Sequence, residues 1–265
     1  MACDSEILVL GGEGLVGSAI LRTCTASGRS CAAVTRDNYG AMRGSACDIF
    51  VNANGSSRKL LAGRDPLADF EANVRSVRAS LVDFRFRRYV HISSCDVYPD
   101  CSSPSSTRED AVLDPAAQSP YGFHKWLAEQ CVRHSATDWL ILRCGGFVGP
   151  GLKKNPIFDI INGGPLFLDA ESELQFLRTD RAAEILLHLL ESGARNEIFN
   201  LCGRGVVRLS EVVALAPRPV PVQPGSPLVR YEISLEKISR IIEPPETRPE
   251  VLEFVRDALA HAGSR

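Results

Sequence analysis

The chain has 265 residues, 45% of them hydrophobic, with 30 basic against 32 acidic side chains for a net charge of -2. That length carries one large domain, or one domain with a smaller appendage, and that composition fills a core, which excludes disorder as the main state. Near-neutrality leaves no cationic field for nucleic acid or an anionic membrane, and no apolar run approaches the ~18 residues of a membrane span, so the expected partner is a small molecule.

The opening Met1-Ala2-Cys3-Asp4-Ser5-Glu6 has no basic region leading into an apolar stretch, and the chain reads as cytoplasmic. Residues 7–10 are wholly apolar, glycines follow, and Leu15, Val16, Ala19 and Ile20 recur at helical spacing, which predicts a strand, a tight turn and a helix. Further strands are predicted at 31–35, 49–52, 89–93 and 139–142, with helices near 67–83 and 121–134 between the later ones. This alternation predicts an α/β fold with a parallel sheet covered on both faces. After Gly149-Pro150-Gly151 the composition shifts. A proline-rich stretch runs from Pro217 to Pro227, and helices are predicted near 180–192 and 248–261. The expected organisation is a dinucleotide-binding domain over 1–150 and a small substrate-binding lobe over 151–265 that interleaves with the last sheet elements. The nine cysteines include no Cys-x-x-Cys, so they read as reduced thiols serving as small buried hydrophobes, with no metal site.

Gly11-Gly12-Glu13-Gly14-Leu15-Val16-Gly17 sits between the first strand and the first helix. Glycines there let the backbone turn sharply and approach a pyrophosphate, while the amides and positive end of the helix favour its charge. The strand before and the helix after are the context that makes this a dinucleotide site of Rossmann type, in a doubly wound sheet. The second strand ends Val34-Thr35-Arg36. An arginine at that end pairs with a 2′-phosphate, whereas a carboxylate would bind a free 2′-hydroxyl, so NADP is favoured over NAD, with Asp37 the residue that could reverse the preference.

Tyr121 and Lys125 lie four residues apart and share one helical face. An ammonium about 4 Å from the phenol, at an effective dielectric of about 20, favours the phenolate by roughly 4 kcal/mol before desolvation, enough to bring a phenol of pKa about 10 near neutrality. Arg88 to Ser94 is a strand running into hydroxyls, and ligands gather at the carboxyl ends of parallel strands, so Ser94 is expected to hold the oxygen that Tyr121 protonates or deprotonates. Lys153 and Asn155, after the Gly149-Pro150-Gly151 turn, are candidates to meet a substrate diphosphate. Arg58-Lys59 and Arg85 to Arg88 read as solvated charge. His91 and His188 read as core, and His124 as facing away from the Tyr121–Lys125 pair.

With these pieces in order, the chain resembles the extended short-chain dehydrogenase/reductases, the NAD(P)-dependent sugar-nucleotide epimerases, dehydratases and reductases. Further matching pieces are Val51-Asn52-Ala53-Asn54-Gly55, Asn73-Val74, Val97-Tyr98, Glu109-Asp110, Leu142-Arg143, Asp180 and Asn200 to Gly203. The resemblance implies that Ser94, Tyr121 and Lys125 carry the chemistry, that Lys125 holds the nicotinamide ribose, and that Asn54, Gly55 and Cys144 lie along the cofactor. Cys144 stands where the family usually has proline, Val148 where tyrosine is frequent, and Pro99 where Val-Tyr is usually followed by glycine. Ser94-Cys95-Asp96 corresponds to the Thr-Asp-Glu of sugar 4,6-dehydratases. Cys95 is a poor acid, so the expected activity is hydride transfer at a carbinol or ketone carbon of a nucleotide-linked sugar, by an epimerase or ketoreductase. The alternatives are a 4,6-dehydratase, or an NADP-holding sensor or structural protein without turnover. The helices near 67–83 and 121–134 resemble the family's dimer-forming pair, which implies a homodimer.

Overall fold

The computed structural model describes residues 5–57 and 59–263, so the opening tetrapeptide read for targeting, and Arg58, lie outside the described residues. Six parallel strands form the central sheet: β1 (Ile7–Leu10), β2 (Cys31–Val34), β3 (Ala46–Asn52), β4 (Arg85–Ser94), β5 (Trp139–Cys144) and, after three short strands, β9 (Glu197–Leu201). Their order is β2-β1-β3-β4-β5-β9. The chain therefore leaves β1 in one direction for β2 and crosses back to β3 on the other side of β1, which makes β1/β3 the switch point where a doubly wound sheet opens a crevice at its carboxyl edge.

Both faces of the sheet are covered, and the period of two along β1 divides its apolar side chains between them. Ile7 and Val9 pack with Ile20, Ala182, Ala183 and Leu186 from helices Leu15–Ala26 and Thr179–Glu191. Leu8 and Leu10 pack on the other face with Val77, Ala128 and Val132 from helices Ser76–Asp83 and Pro120–Ser135. The helix expected near 67–83 runs as Pro66–Phe70, a wider π turn at Glu71–Arg75, and Ser76–Asp83. Within that turn Asn73 Nδ2 donates to Asp69 Oδ1 at 2.9 Å, and Asp69 Oδ2 binds His124 Nδ1 at 2.7 Å, so buried polar groups occupy the irregular turn.

The short strands β6 (Gly146–Val148), β7 (Glu173–Leu174), β8 (Phe176–Arg178), β10 (Val207–Arg208) and β11 (Arg230–Tyr231) build the remainder as a β6–β8 pair and a β10-β7-β11 sheet. A separate apolar cluster fills this second lobe, with Val148, Ile157, Ile160, Phe176, Val212 and Val255 at its centre. The lobe returns to the main sheet through β9. No helix among the described residues is long and apolar enough to cross a membrane.

Candidate active site

The glycine run forms the predicted turn. Gly11 has φ of 79°, the left-handed region that favours glycine, and a Cβ on Gly17 would fall inside the Gly11 carbonyl, so the helix starts pressed against the turn. Gly14 caps the helix without any side-chain hydrogen bond to its first amides. Exposed glycine backbone beside open helix amides is what a pyrophosphate needs, and the residues present fit a dinucleotide. Leu15 and Val16 form the first helical turn, half-buried. At the end of β2, Thr35 N–H donates to Asn38 Oδ1 at 2.7 Å, which folds the chain back and leaves Arg36 exposed with no ion pair among the described residues. Asn54, after β3, donates its N–H to Asn52 Oδ1 at 3.0 Å, and Gly55 has φ of 133° against Asn73.

Ser94 ends β4, and Pro120–Ser135 starts beside it. Ser119 Oγ caps this helix by accepting from Gly122 N at 3.1 Å, and Pro120 supplies the preset φ of a first helical residue. A Cβ at Gly122 would collide with the Asp96 carbonyl, so glycine after Tyr121 allows the helix to close onto the Cys95–Val97 turn. Ser94, Tyr121 and Lys125 are all buried. Ser94 hydrogen-bonds Tyr121 and donates to Asp96 Oδ2 at 2.9 Å. Lys125 Nζ donates to the Ile92 carbonyl at 3.0 Å.

The ionisation of this cluster differs from the expectation for Tyr121. Burial pushes the phenol above its ordinary range and the Asp96 charge adds to that, with the Ser94 hydrogen bond opposing. Lys125 is lowered to about 8 by burial. The ammonium is engaged by the Ile92 carbonyl, burial dominates at the phenol, and Tyr121 is held protonated, ready to donate.

Two groups around Asp96, Lys59 and Tyr231, were not assembled by sequence reasoning. Lys59, read as solvated charge, sits at the start of helix Lys59–Arg64 and pairs with Asp96 Oδ1 at 2.7 Å. Tyr231, from β11 in the second lobe, donates to the same oxygen at 3.0 Å, and its ring lies 5.2 Å beneath Lys59 Nζ. Burial pulls Lys59 down, but the Asp96 carboxylate outweighs it and the ammonium sits above its usual range. Only Asp96 carried a signal in the sequence, through its place after Ser94.

The other expected residues are spread around this cluster. Cys144 ends β5 directly opposite Ser94 in register, and burial pushes its thiol up. Cys95 points its thiol at the Cys144 carbonyl, 3.0 Å away. Lys153 is exposed. Both ends of the Asn155 carboxamide are engaged, Oδ1 accepting from Phe158 N at 3.0 Å as a helix cap and Nδ2 donating to Phe147 O at 2.8 Å, so its side chain shapes the loop. His124 turns to Asp69, and His91 is fully buried, held well below its usual range by burial and by Lys125.

A buried ionic network lies two helical turns deeper. Arg143 donates to Glu129 through Nε at 3.1 Å and Nη2 at 2.8 Å, and through Nη1 to Tyr98 OH at 3.0 Å. Ser93 Oγ donates to Glu129 at 2.6 Å, and Tyr98 OH to Asn200 Oδ1 at 2.8 Å.

Comparison with known proteins agrees with this fold. The model of the NAD dependent epimerase/dehydratase family matches residues 7–202. Among solved structures, a UDP-galactose 4-epimerase aligns with a TM-score of 0.78 at 20% identity, over 97% of this chain and 99% of its own. RMD from Pseudomonas aeruginosa, complexed with NADPH, aligns with a TM-score of 0.79 at 20% identity, over 98% of this chain and 100% of its own. The UDP-glucuronic acid 4-epimerase from Bacillus cereus, in complex with UDP-glucuronic acid and NAD, aligns with a TM-score of 0.77 at 17% identity, over 97% and 99%. No curated protein matches the sequence.

Proposed function

Since the chain belongs to the NAD dependent epimerase/dehydratase family, we propose that it is an NAD(P)-dependent epimerase or ketoreductase acting on a nucleotide-linked sugar. The observation that carries this reading is the convergence of Tyr121, Ser94 and Lys125 at the carboxyl end of β4, beneath the turn formed by the Cys95–Val97 segment. When bound, the dinucleotide supplies or takes up the hydride at the carbon beside the reacting oxygen. The chain's residues do the rest. The Gly11, Gly12, Gly14 and Gly17 backbone and the open amides at Leu15 and Val16 bind the pyrophosphate, with Thr35, Asn54, Gly55 and Cys144 along the cofactor. Lys125 holds the nicotinamide ribose. Ser94 fixes the reacting oxygen, and Tyr121, kept protonated by burial, donates its proton to it.

Arg36, exposed at the end of β2 with no ion pair among the described residues, supports NADP over NAD. The substrate oxygen enters where Ser94 now donates to Asp96, so Asp96, with Lys59 and Tyr231, meets the sugar hydroxyls. Lys153 reaches the diphosphate. A 4,6-dehydratase needs a second acid at Cys95, and that thiol is turned to the Cys144 carbonyl and pushed well up by burial, which weighs against dehydration. A homodimer through the helices spanning 66–83 and 120–135 fits the exposed apolar side chains of the first, Leu67 and Val82.

The test is to purify the chain, identify any released dinucleotide by mass, and screen nucleotide sugars with NADPH and NADH. The expected result is NADPH binding, with interconversion or reduction of at least one nucleotide sugar. Absence of binding to either dinucleotide would overturn the reading. Cofactor that copurifies and stays bound through turnover marks an epimerase, and cofactor consumed one for one marks a reductase.

A further inference from the structure

Cys95 lies between Ser94 and Asp96 in the sequence, and its thiol has a second cysteine beside it. Cys101 Sγ donates to the carbonyl oxygen of Cys95 itself at 3.3 Å, so the chain from 95 to 101 doubles back on its own start. Cys95 Sγ lies 3.1 Å from Tyr231 OH, the hydroxyl that also donates to Asp96. Neither cysteine is held in a disulfide. Cys95 is 1% exposed and Cys101 9%, and the residue after Cys101 is exposed, which makes Cys101 the thiol nearer to solvent. Glu232, whose N–H is bonded to the Cys101 carbonyl at 2.8 Å, lines a cavity of about 450 Å³. Another close pair, Cys24 within helix Leu15–Ala26 and Cys31 at the amino end of β2, lies at the opposite edge of the sheet from Ser94.

We propose that Cys95 and Cys101 are a modification site for a small hydroperoxide, closing a reversible intrachain disulfide against the Ser94–Asp96 segment. Cys101 supplies the attacking thiolate. A hydrogen bond with Cys95 draws its thiol below the usual range, with Tyr231 and Lys59 acting in the same direction against burial. Cys95, pushed well up chiefly by burial, stays a thiol and is the resolving partner. In the first step the Cys101 sulfur attacks a peroxide oxygen, the O–O bond breaks, and the departing hydroxide takes up a proton as water, leaving a sulfenic acid. In the second, the Cys95 sulfur attacks the Cys101 sulfur, the S–O bond breaks, the S–S bond forms, and the hydroxide leaves as water with the Cys95 proton. Two thiols lose two electrons, and hydrogen peroxide is reduced to two waters. A thiol reductant reverses the change by exchange. The new bond takes the Cys95 sulfur away from the Cys144 carbonyl and Tyr231, both of which border the candidate site.

The experiment uses the full-length reduced protein and needs neither cofactor nor substrate, so its failure is distinct from failure of the proposed function. The chain is exposed to excess hydrogen peroxide, its remaining thiols are alkylated, and its peptides are mapped by mass before and after dithiothreitol. The expected result is loss of two of the nine thiols, a linked peptide joining Cys95 to Cys101, and recovery of both thiols on reduction. Cys101→Ser, away from the catalytic groups, is expected to keep Cys95 as a thiol, and Cys95→Ala is expected to leave Cys101 as a trapped sulfenic acid. A linked peptide at Cys24–Cys31 in place of Cys95–Cys101 overturns the proposal. So does oxidation of wild type to a sulfinic acid without a link, or survival of all thiols.

Discussion

Ser93 and Ser94 are consecutive residues on β4, both buried, and both bonded to a carboxylate, yet they serve different regions. Ser93 binds Glu129, whose charge is matched by the Arg143 fork and surrounded by Tyr98 and Asn200. Every charge there has its counterpart inside the protein, and the network ties β4, β5, β9 and the Tyr121 helix together. Ser94 binds Asp96 and Tyr121, and among the described residues Asp96 is matched by the half-exposed Lys59 and by a phenol borrowed from the other lobe. The inner network is a closed scaffold. The outer one is open at the strand end and spans two lobes, which is the arrangement of a site that exchanges partners.

The largest expected contrast comes from Tyr121→Phe. Removing the proton donor is expected to lower turnover by about 10²–10⁴-fold while thermal melting stays within experimental scatter, and an unchanged rate would take Tyr121 out of the chemistry. Glu129→Gln acts on the inner network. It leaves the Arg143 charge buried without its counterion and is expected to cost about 3–5 kcal/mol in urea unfolding, and a loss below about 1 kcal/mol would show that water reaches the pair.

Lys125 stands between the two networks, and pH separates it from both. Its folded value of about 8, lowered by burial, lies under the 10.5 of an ordinary lysine. Between those values the unfolded chain still binds the proton that the folded chain has released, so stability from this group rises as pH climbs from about 8 to 10.5. Unfolding free energies of wild type relative to Lys125→Met are expected to increase across that window, and a flat difference would contradict the burial argument. Ser93→Ala is expected to lose about 1–3 kcal/mol of stability with dinucleotide binding intact, while Ser94→Ala keeps its stability and slows turnover. The smallest effect is expected farthest from both networks. Arg36→Asp should shift the NADPH/NADH preference about tenfold, roughly 1.4 kcal/mol, measured as the ratio of the two dissociation constants.

Much of the architecture was legible because its signals are local. The apolar run before the glycines, the Ser119-Pro120 start and the four-residue spacing of Tyr121 and Lys125 each lie within one or two turns of chain, and the structure has the strand, the cap and the shared face there. The π turn in the 66–83 helix was not legible, since its cause is Asp69 meeting His124 from a helix 55 residues on. Asn155 reads in sequence as a candidate to meet a substrate diphosphate because it follows the Gly149-Pro150-Gly151 turn beside Lys153, and only the tertiary structure brings its carboxamide to the Phe147 carbonyl and Phe158 amide.

The sequence by itself determined which segments become strands and helices, the phosphate-type turn, and which hydroxyl, phenol and ammonium stand at the sheet's carboxyl edge, because periodicity and backbone preference act over a few residues. Only the tertiary structure decided that Lys59 and Tyr231 meet at Asp96, 37 and 135 residues away from it, and that Tyr121 keeps its proton. Both outcomes depend on which surfaces pack together and how much water they exclude, and desolvation is a property of the assembled site that no stretch of chain carries alone.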